Sequence, residues 1–229
     1  MSSAIRYRHG RLFTARDTYV RDSQTVVLQG VCHVAGQDFW DKLNGYLMRA
    51  EKGGFDVHIE GVTSDMADPP KIFVDLDGLA SLLGLQGQTT GLDYRPHWTR
   101  TDINLSELVA GMAPEVLSKM VDATEKMNDF LASMDGHSQR RLIGSLIRGV
   151  MAFGLALPKA GPFALGLKDP IILDRRNEVA ALAAIEAEGD VVAVWGAAHL
   201  SGIGELLSDA GFRRADRQWT PVMRVARTR

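Results

Sequence analysis

Two hydrophobic periods alternate along the chain, and the places where one gives way to the other mark its predicted elements. The first 30 residues step in twos, as strands do. Residues 11–19 read as an edge hairpin, and Thr25-Val26-Val27-Leu28-Gln29 as a short buried strand. After His33 the step becomes three and four, and Phe39, Leu43, Tyr46 and Leu47 form a helical stripe that stops at Lys52-Gly53-Gly54. Residues 55–62 return to alternation, with Phe55, Val57, Ile59 and Gly61 on one face and Asp56, His58 and Glu60 on the other. Strand, helix, strand in so short a span is the pattern of a parallel βαβ unit.

The middle of the chain predicts helices. A short amphipathic piece covers 75–85, and 113–134 carries Val116, Leu117, Met120, Val121, Met127 and Leu131 on one stripe. Residues 138–155 read as another helix, and 154–170 as a loop punctuated by Pro and Gly. A helix within 174–188 then leads into the apolar strand Val191-Val192-Ala193-Val194-Trp195, a helix at about 202–210 and a last strand at 219–225. The expected fold is α/β: a single domain over 1–229 with a central mixed, largely parallel sheet flanked by helices, and a helical insertion or lid at about 104–170. Two long apolar helices exceed what one face of a small sheet needs, which leaves a lid or a homodimer seam as their use. The methionines Met112, Met120, Met127 and Met134 suit an adaptable surface, and equally core or a dimer seam.

Composition narrows the function classes. At 229 residues, 45% hydrophobic and 24% charged, the chain is long enough for a well-buried core, and its net charge of −2 offers no general attraction to nucleic acid or anionic lipid. Cys32 is the only cysteine, which excludes an intramolecular disulfide and a cysteine zinc cage. Neither a secretory h-region nor a membrane span is legible, so the expected location is the cytoplasm and the expected partners are a peptide or small-molecule substrate.

One motif occurs twice. GVCHVAG at 30–36 and GAAHLSG at 196–202 each follow a hydrophobic strand. In open parallel sheets ligands bind beyond the carboxyl ends of strands, so His33 and His199 would meet on one rim if their strands are neighbours, with Glu60 at the end of a third strand. In this reading Gly30 and Gly196 permit a sharp bend before each histidine. Two imidazoles and a carboxylate suit a divalent cation such as Mn, Co or Zn that activates water. Duplicated turn packing, with each histidine a structural residue, produces the same pattern.

The order VVLQGVCH, VHIEG, RRNEVAA and VVAVWGAAHLSGI, with WTRTDINL between, resembles the TraB/GumN family, including the Tiki proteases, within the erythromycin esterase/ChaN-like group. The resemblance covers about 26–61 and 175–211, and the middle only through 98–105. It implies an α/β fold with a central sheet. For the Tiki branch it implies a metal-dependent peptidase with His33, His199 and Glu60 at the metal, Glu60 as ligand or general base. For the esterase branch it implies a hydrolase or transferase without metal.

The remaining candidates each carry two readings. Arg176 and Asn177 match the family's Arg-Asn pair; the guanidinium holds a substrate carboxylate or an oxyanion, or is a structural bridge from its helix to Glu60 or Asp102. Asp102 is a partner fixing an imidazole tautomer or an N-cap for the helix at Leu105. His58 shares the face of Glu60 further back along the strand and reads as a buried hydrogen-bonded residue behind the site. Tyr94, Arg95, His97 and Trp98 suit either a pocket lining for substrate or a loop packed on itself. Cys32 beside His33 invites a Cys-His nucleophile, although neighbours at a strand end point apart. A rim that only binds a small anionic ligand or peptide, without turnover, is the non-catalytic alternative.

Overall fold

The computed structural model describes residues 3–134, 143–144, 146–149 and 171–225 of the chain. Its strands are β1 (Ile5–Arg8), β2 (Arg11–Arg21), β3 (Gln24–Val31), β4 (Val34–Ala35), β5 (Asp56–Ile59), β6 (Gln86–Gly87), β7 (Thr99–Arg100), β8 (Val191–Gly196) and β9 (Arg213–Arg224). The helices are α1 (Gln37–Lys52), α2 (Leu76–Leu83), α3 (Gln88–Gly91), α4 (Leu105–Gly111), α5 (Pro114–Ala132), α6 (Arg176–Glu186), which continues a π-helical turn at Ile171–Arg175, and α7 (Leu200–Asp209).

The main sheet is mixed, in the order β1-β2-β3-β8-β5-β7, with β9 also paired to β2. β3, β8, β5 and β7 run parallel, and β1, β2 and β9 add antiparallel pairings. The strand after the second GxxH-leading run, β8, slots between β3 and β5, which are joined through α1. The carboxyl ends of four parallel neighbours therefore open on the same edge.

Side-chain alternation on these strands builds two cores. Val27 and Val31 of β3, Val57 and Ile59 of β5, and Val192 and Val194 of β8 face Phe39, Trp40, Leu43 and Leu47 of α1. Val26, Leu28, Val191, Ala193 and Trp195 face the opposite way, against Ala180, Ala181 and Ala184 of α6 and Leu200, Ile203 and Leu207 of α7. Helices thus flank both faces, and each fully buried Leu, Ile, Phe or Val contributes roughly 1.5–3 kcal/mol of hydrophobic stabilisation. A third cluster, with Ile103, Leu105, Leu108 and Met112, lies under α4 and α5.

Several expectations are corrected. Residues 11–19 are no edge hairpin: β2 pairs with β1 and β3 and, along Arg11–Val20, with β9, a strand that returns from the other end of the chain. Gly30 and Gly196 lie within strands and do not bend the chain. A Cβ on Gly30 would stand 2.9 Å from the Ala15 carbonyl oxygen, and one on Gly196 would stand 3.0 Å from Glu60 Oε2, so both are glycine because something else comes close. Met127, placed on the apolar stripe of α5, is 40% exposed. Of the expected insertion, α4 and α5 are helical, while the expected helix at 138–155 and loop at 154–170 fall largely outside the described residues. Among the described residues no helix is long and apolar enough to cross a membrane.

Candidate active site

Each of the four parallel strands delivers one side chain to the shared edge: His33 after β3, His199 after β8, Glu60 after β5 and Asp102 after β7. The ladder continues just past the strand ends and fixes these positions, since the backbone N–H of Ala197 donates to Val31 (2.9 Å), that of Glu60 to Val194 (3.0 Å) and that of Thr101 to Ile59 (3.2 Å). The two histidine turns and Glu60 thus share one rim, though the strand leading to His199, not the one leading to Glu60, is the middle of the three.

Both imidazoles are held the same way. His199 Nδ1 lies 2.8 Å from Asn177 Oδ1, and His33 Nδ1 lies 2.9 Å from Gln88 Oε1. An amide oxygen can only accept, so Nδ1 carries the proton and in the neutral ring Nε2 presents its lone pair, the arrangement that orients a histidine toward a cation or a proton. Asn177 sits in the first turn of α6, and Gly202 of α7 lacks the Cβ that would collide with its amide. Gln88 is placed by the small β4–β6 sheet, and its backbone N–H also donates to the His33 carbonyl (2.8 Å), clamping that histidine at two points.

The carboxylates form the floor. Arg176 donates from Nε to Asp102 Oδ1 (2.9 Å) and from Nη2 to both Asp102 Oδ2 (2.7 Å) and Glu60 Oε1 (2.6 Å). Asp102 also accepts from the backbone N–H groups of Gly61 (3.0 Å) and Ile103 (2.9 Å). It is neither an imidazole partner nor a cap: the N-cap of α4 is Asn104. Arg176 thereby bridges α6 to both carboxylates. Glu60 Oε2 accepts from the Gly196 N–H at 2.5 Å, and Glu60 Oε1 lies 3.6 Å from His199 Nε2.

Burial sets the charge states. Burial pushes the Glu60 carboxyl up, but His33, His199, Arg176 and the Gly196 N–H outweigh it and bring the group down to about 2. His199 is lowered to about 4, chiefly by burial against the opposing pull of Glu60, so its ring is neutral at pH 7. Glu60 and Asp102 share the Arg176 guanidinium between them.

The other candidates fall elsewhere. Arg95 pairs with Glu51 at 3.2 Å, and the Trp98 indole N–H donates to the same carboxylate at 2.8 Å; both residues border a cleft of about 120 Å³ with Asn44, Gly45, Met48 and Asp93 of α1 and its neighbouring loop. Tyr94 does reach the rim, where its hydroxyl accepts from Gln88 Nε2 at 3.2 Å. His58 is buried as expected, yet its Nδ1 has no hydrogen-bond partner among the described residues, and burial lowers its pKa. Burial raises the Cys32 thiol to about 12, which keeps it protonated and removes it as a nucleophile.

Gln88 and Arg100 are rim residues that the sequence reading passed over. The guanidinium of Arg100 lies against Gly61, with Cζ 3.5 Å from where a Cβ would stand, and 5.9 Å from the centroid of the Tyr94 ring. Among the described residues, no three of His, Cys, Asp and Glu stand as a ready-made metal cage. Comparison of the chain with protein-family models, with curated proteins and with solved structures returns no match.

Proposed function

We propose that this protein is a metal-dependent hydrolase of peptide or other amide or ester bonds, with His33, His199 and Glu60 holding a divalent cation of the Mn, Co or Zn type. The observation that supports it is the matched pair of histidines on neighbouring strand ends, each with Nδ1 tied to an amide oxygen, beside a carboxylate kept anionic by its surroundings. The donor set fits such an ion: two imidazole nitrogens and one carboxylate. When bound, the ion would polarise the scissile carbonyl and acidify water. The TraB/GumN resemblance, through the same three residues, points the same way.

The chain's own groups divide the work. Glu60, with a pKa of about 2, is too weak a base to take a proton from water at neutral pH, so its role is that of an anionic ligand rather than a general base. Arg176 spends its hydrogen bonds on Glu60 and Asp102 and positions Glu60 rather than touching substrate. Trp195, whose ring lies edge-on to His199 at 5.1 Å between centroids, walls the buried side of the site.

A second reading has its own observation. Both oxygens of Glu60 already accept hydrogen bonds, and His33 is the exposed imidazole, with Nε2 oriented by Gln88. In that reading His33 takes a proton from water or a substrate hydroxyl, and the Glu60 carboxylate, held in place by Arg176, stabilises the resulting imidazolium without a metal. Hydrolysis of a peptide and ester library before and after exhaustive chelation separates the two. Loss of activity restored by Mn, Co or Zn ions supports the metal enzyme, full activity without metal supports the second reading, and no turnover at all leaves a binding module.

A further inference from the structure

We infer that Arg100, with the hydroxyl of Tyr94, is the subsite for a carboxylate on the substrate, so that the preferred substrates are peptides with a free C-terminal carboxylate rather than internal peptide bonds. The inference rests on the hydrolase reading and names the substrate class of that same site.

Most guanidinium groups near the rim are already paired. Arg176 is tied to Asp102 and Glu60, Arg95 to Glu51, and Arg175 to Glu107 and Glu178. Arg100 is exposed, and among the described residues it has no carboxylate partner. Its place is fixed by the fold. β7 runs parallel to β5 with Arg100 opposite Ile59, which sets the guanidinium against Gly61, the residue directly after Glu60. Any side chain at 61 would collide with Arg100 Nη1, so the glycine is what lets the guanidinium lie over the backbone at the rim.

Tyr94 supplies the second donor. Its hydroxyl accepts from Gln88 Nε2, the amide that also holds His33, and among the described residues its own proton is donated to nothing. Burial raises its pKa and keeps that proton in place. A planar guanidinium beside a phenol presents several donors to two carboxylate oxygens, a pairing stronger than one between neutral groups. One residue's spacing, about 3.8 Å between Cα atoms, separates Gly61 from Glu60. A carboxylate held at Arg100 therefore brings the adjoining amide bond, the last of the peptide, toward the Glu60–histidine cluster.

The test uses the whole protein with N-acetylalanine and N-acetylalaninamide as binding probes, and with matched tripeptides ending in a carboxylate or an amide as substrates. In the wild type the carboxylate probe binds at least about tenfold tighter than its amide. That ratio falls to near one in Arg100→Ala and is partly kept in Arg100→Lys, which retains the charge but not the fork. Equal binding of the two probes by the wild type, or a ratio unchanged in Arg100→Ala, overturns the inference. The two readings part cleanly: Arg100-dependent carboxylate binding without cleavage of any tripeptide keeps the subsite and removes the hydrolase, while cleavage indifferent to the terminal group keeps the hydrolase and removes the subsite.

Discussion

The two GxxH turns share a sequence pattern and a hydrogen-bonding scheme, yet they sit in opposite environments. His199 is buried, begins α7, packs against Trp195 and is held by the buried Asn177. His33 is exposed and is held by Gln88 of the short helix α3. The motif places an imidazole at a strand end and leaves its burial to whatever packs above it. For His199 that is α6 and α7. For His33 it is the small β4–β6 sheet at the margin of the fold. The same residue type therefore serves once as a fixed interior group and once as the solvent-facing side of the site.

Breaking the buried turn has the largest effect. His199→Ala removes a packed ring and leaves Asn177 without its partner, so it costs about 2–4 kcal/mol in a denaturant titration and abolishes activity. Gly202→Ala attacks the same turn indirectly. Its Cβ displaces the Asn177 amide, which loosens the His199 ring at a cost of about 1–3 kcal/mol, with a matching fall in kcat.

Acid sharpens the contrast without mutation. His199 falls from its ordinary 6.5 to about 4 in the folded chain, so between those values the unfolded chain binds the extra proton and stability declines as pH drops from 6.5 to 4. Glu60 falls from 4.5 to about 2, so its contribution is complete above 4.5 and is lost between there and 2. A melting series in pH should be flat near neutrality and then fall in these two overlapping steps. In His199→Ala the upper step shrinks to what His58, also lowered by burial, contributes.

The smallest stability change belongs to the exposed turn. His33→Ala shifts the denaturation midpoint by less than about 0.5 kcal/mol while removing activity, because an exposed ring holds little of the fold together. A large loss of stability in that variant would dissolve the distinction between the two turns.

The strand ends were legible because their signals are local: a β-branched run, a small residue and a polar group, repeated. That the strands before the two histidines are neighbours is not legible in the sequence; the parallel register shows it, with β8 between β3 and β5. The partners were not legible. Gln88 and Asn177 reach the imidazoles from 55 and 22 residues away, and no periodicity marks an amide whose value lies in one hydrogen bond. Asp102 reads as a cap because it precedes an apolar helix, but the partly buried guanidinium of Arg176 competes for it with two hydrogen bonds. Gly30 and Gly196 looked like hinges. Their cause is a carbonyl and a carboxylate arriving from other strands, which the local sequence does not encode.

Calorimetric titration of Mn²⁺ or Co²⁺ into the wild type, His33→Ala and His199→Ala tests most directly whether the two turns and Glu60 form one metal site. One ion per wild-type chain, with affinity falling at least about a hundredfold in each single variant, is the predicted result. Undiminished binding when both histidines are replaced would contradict it.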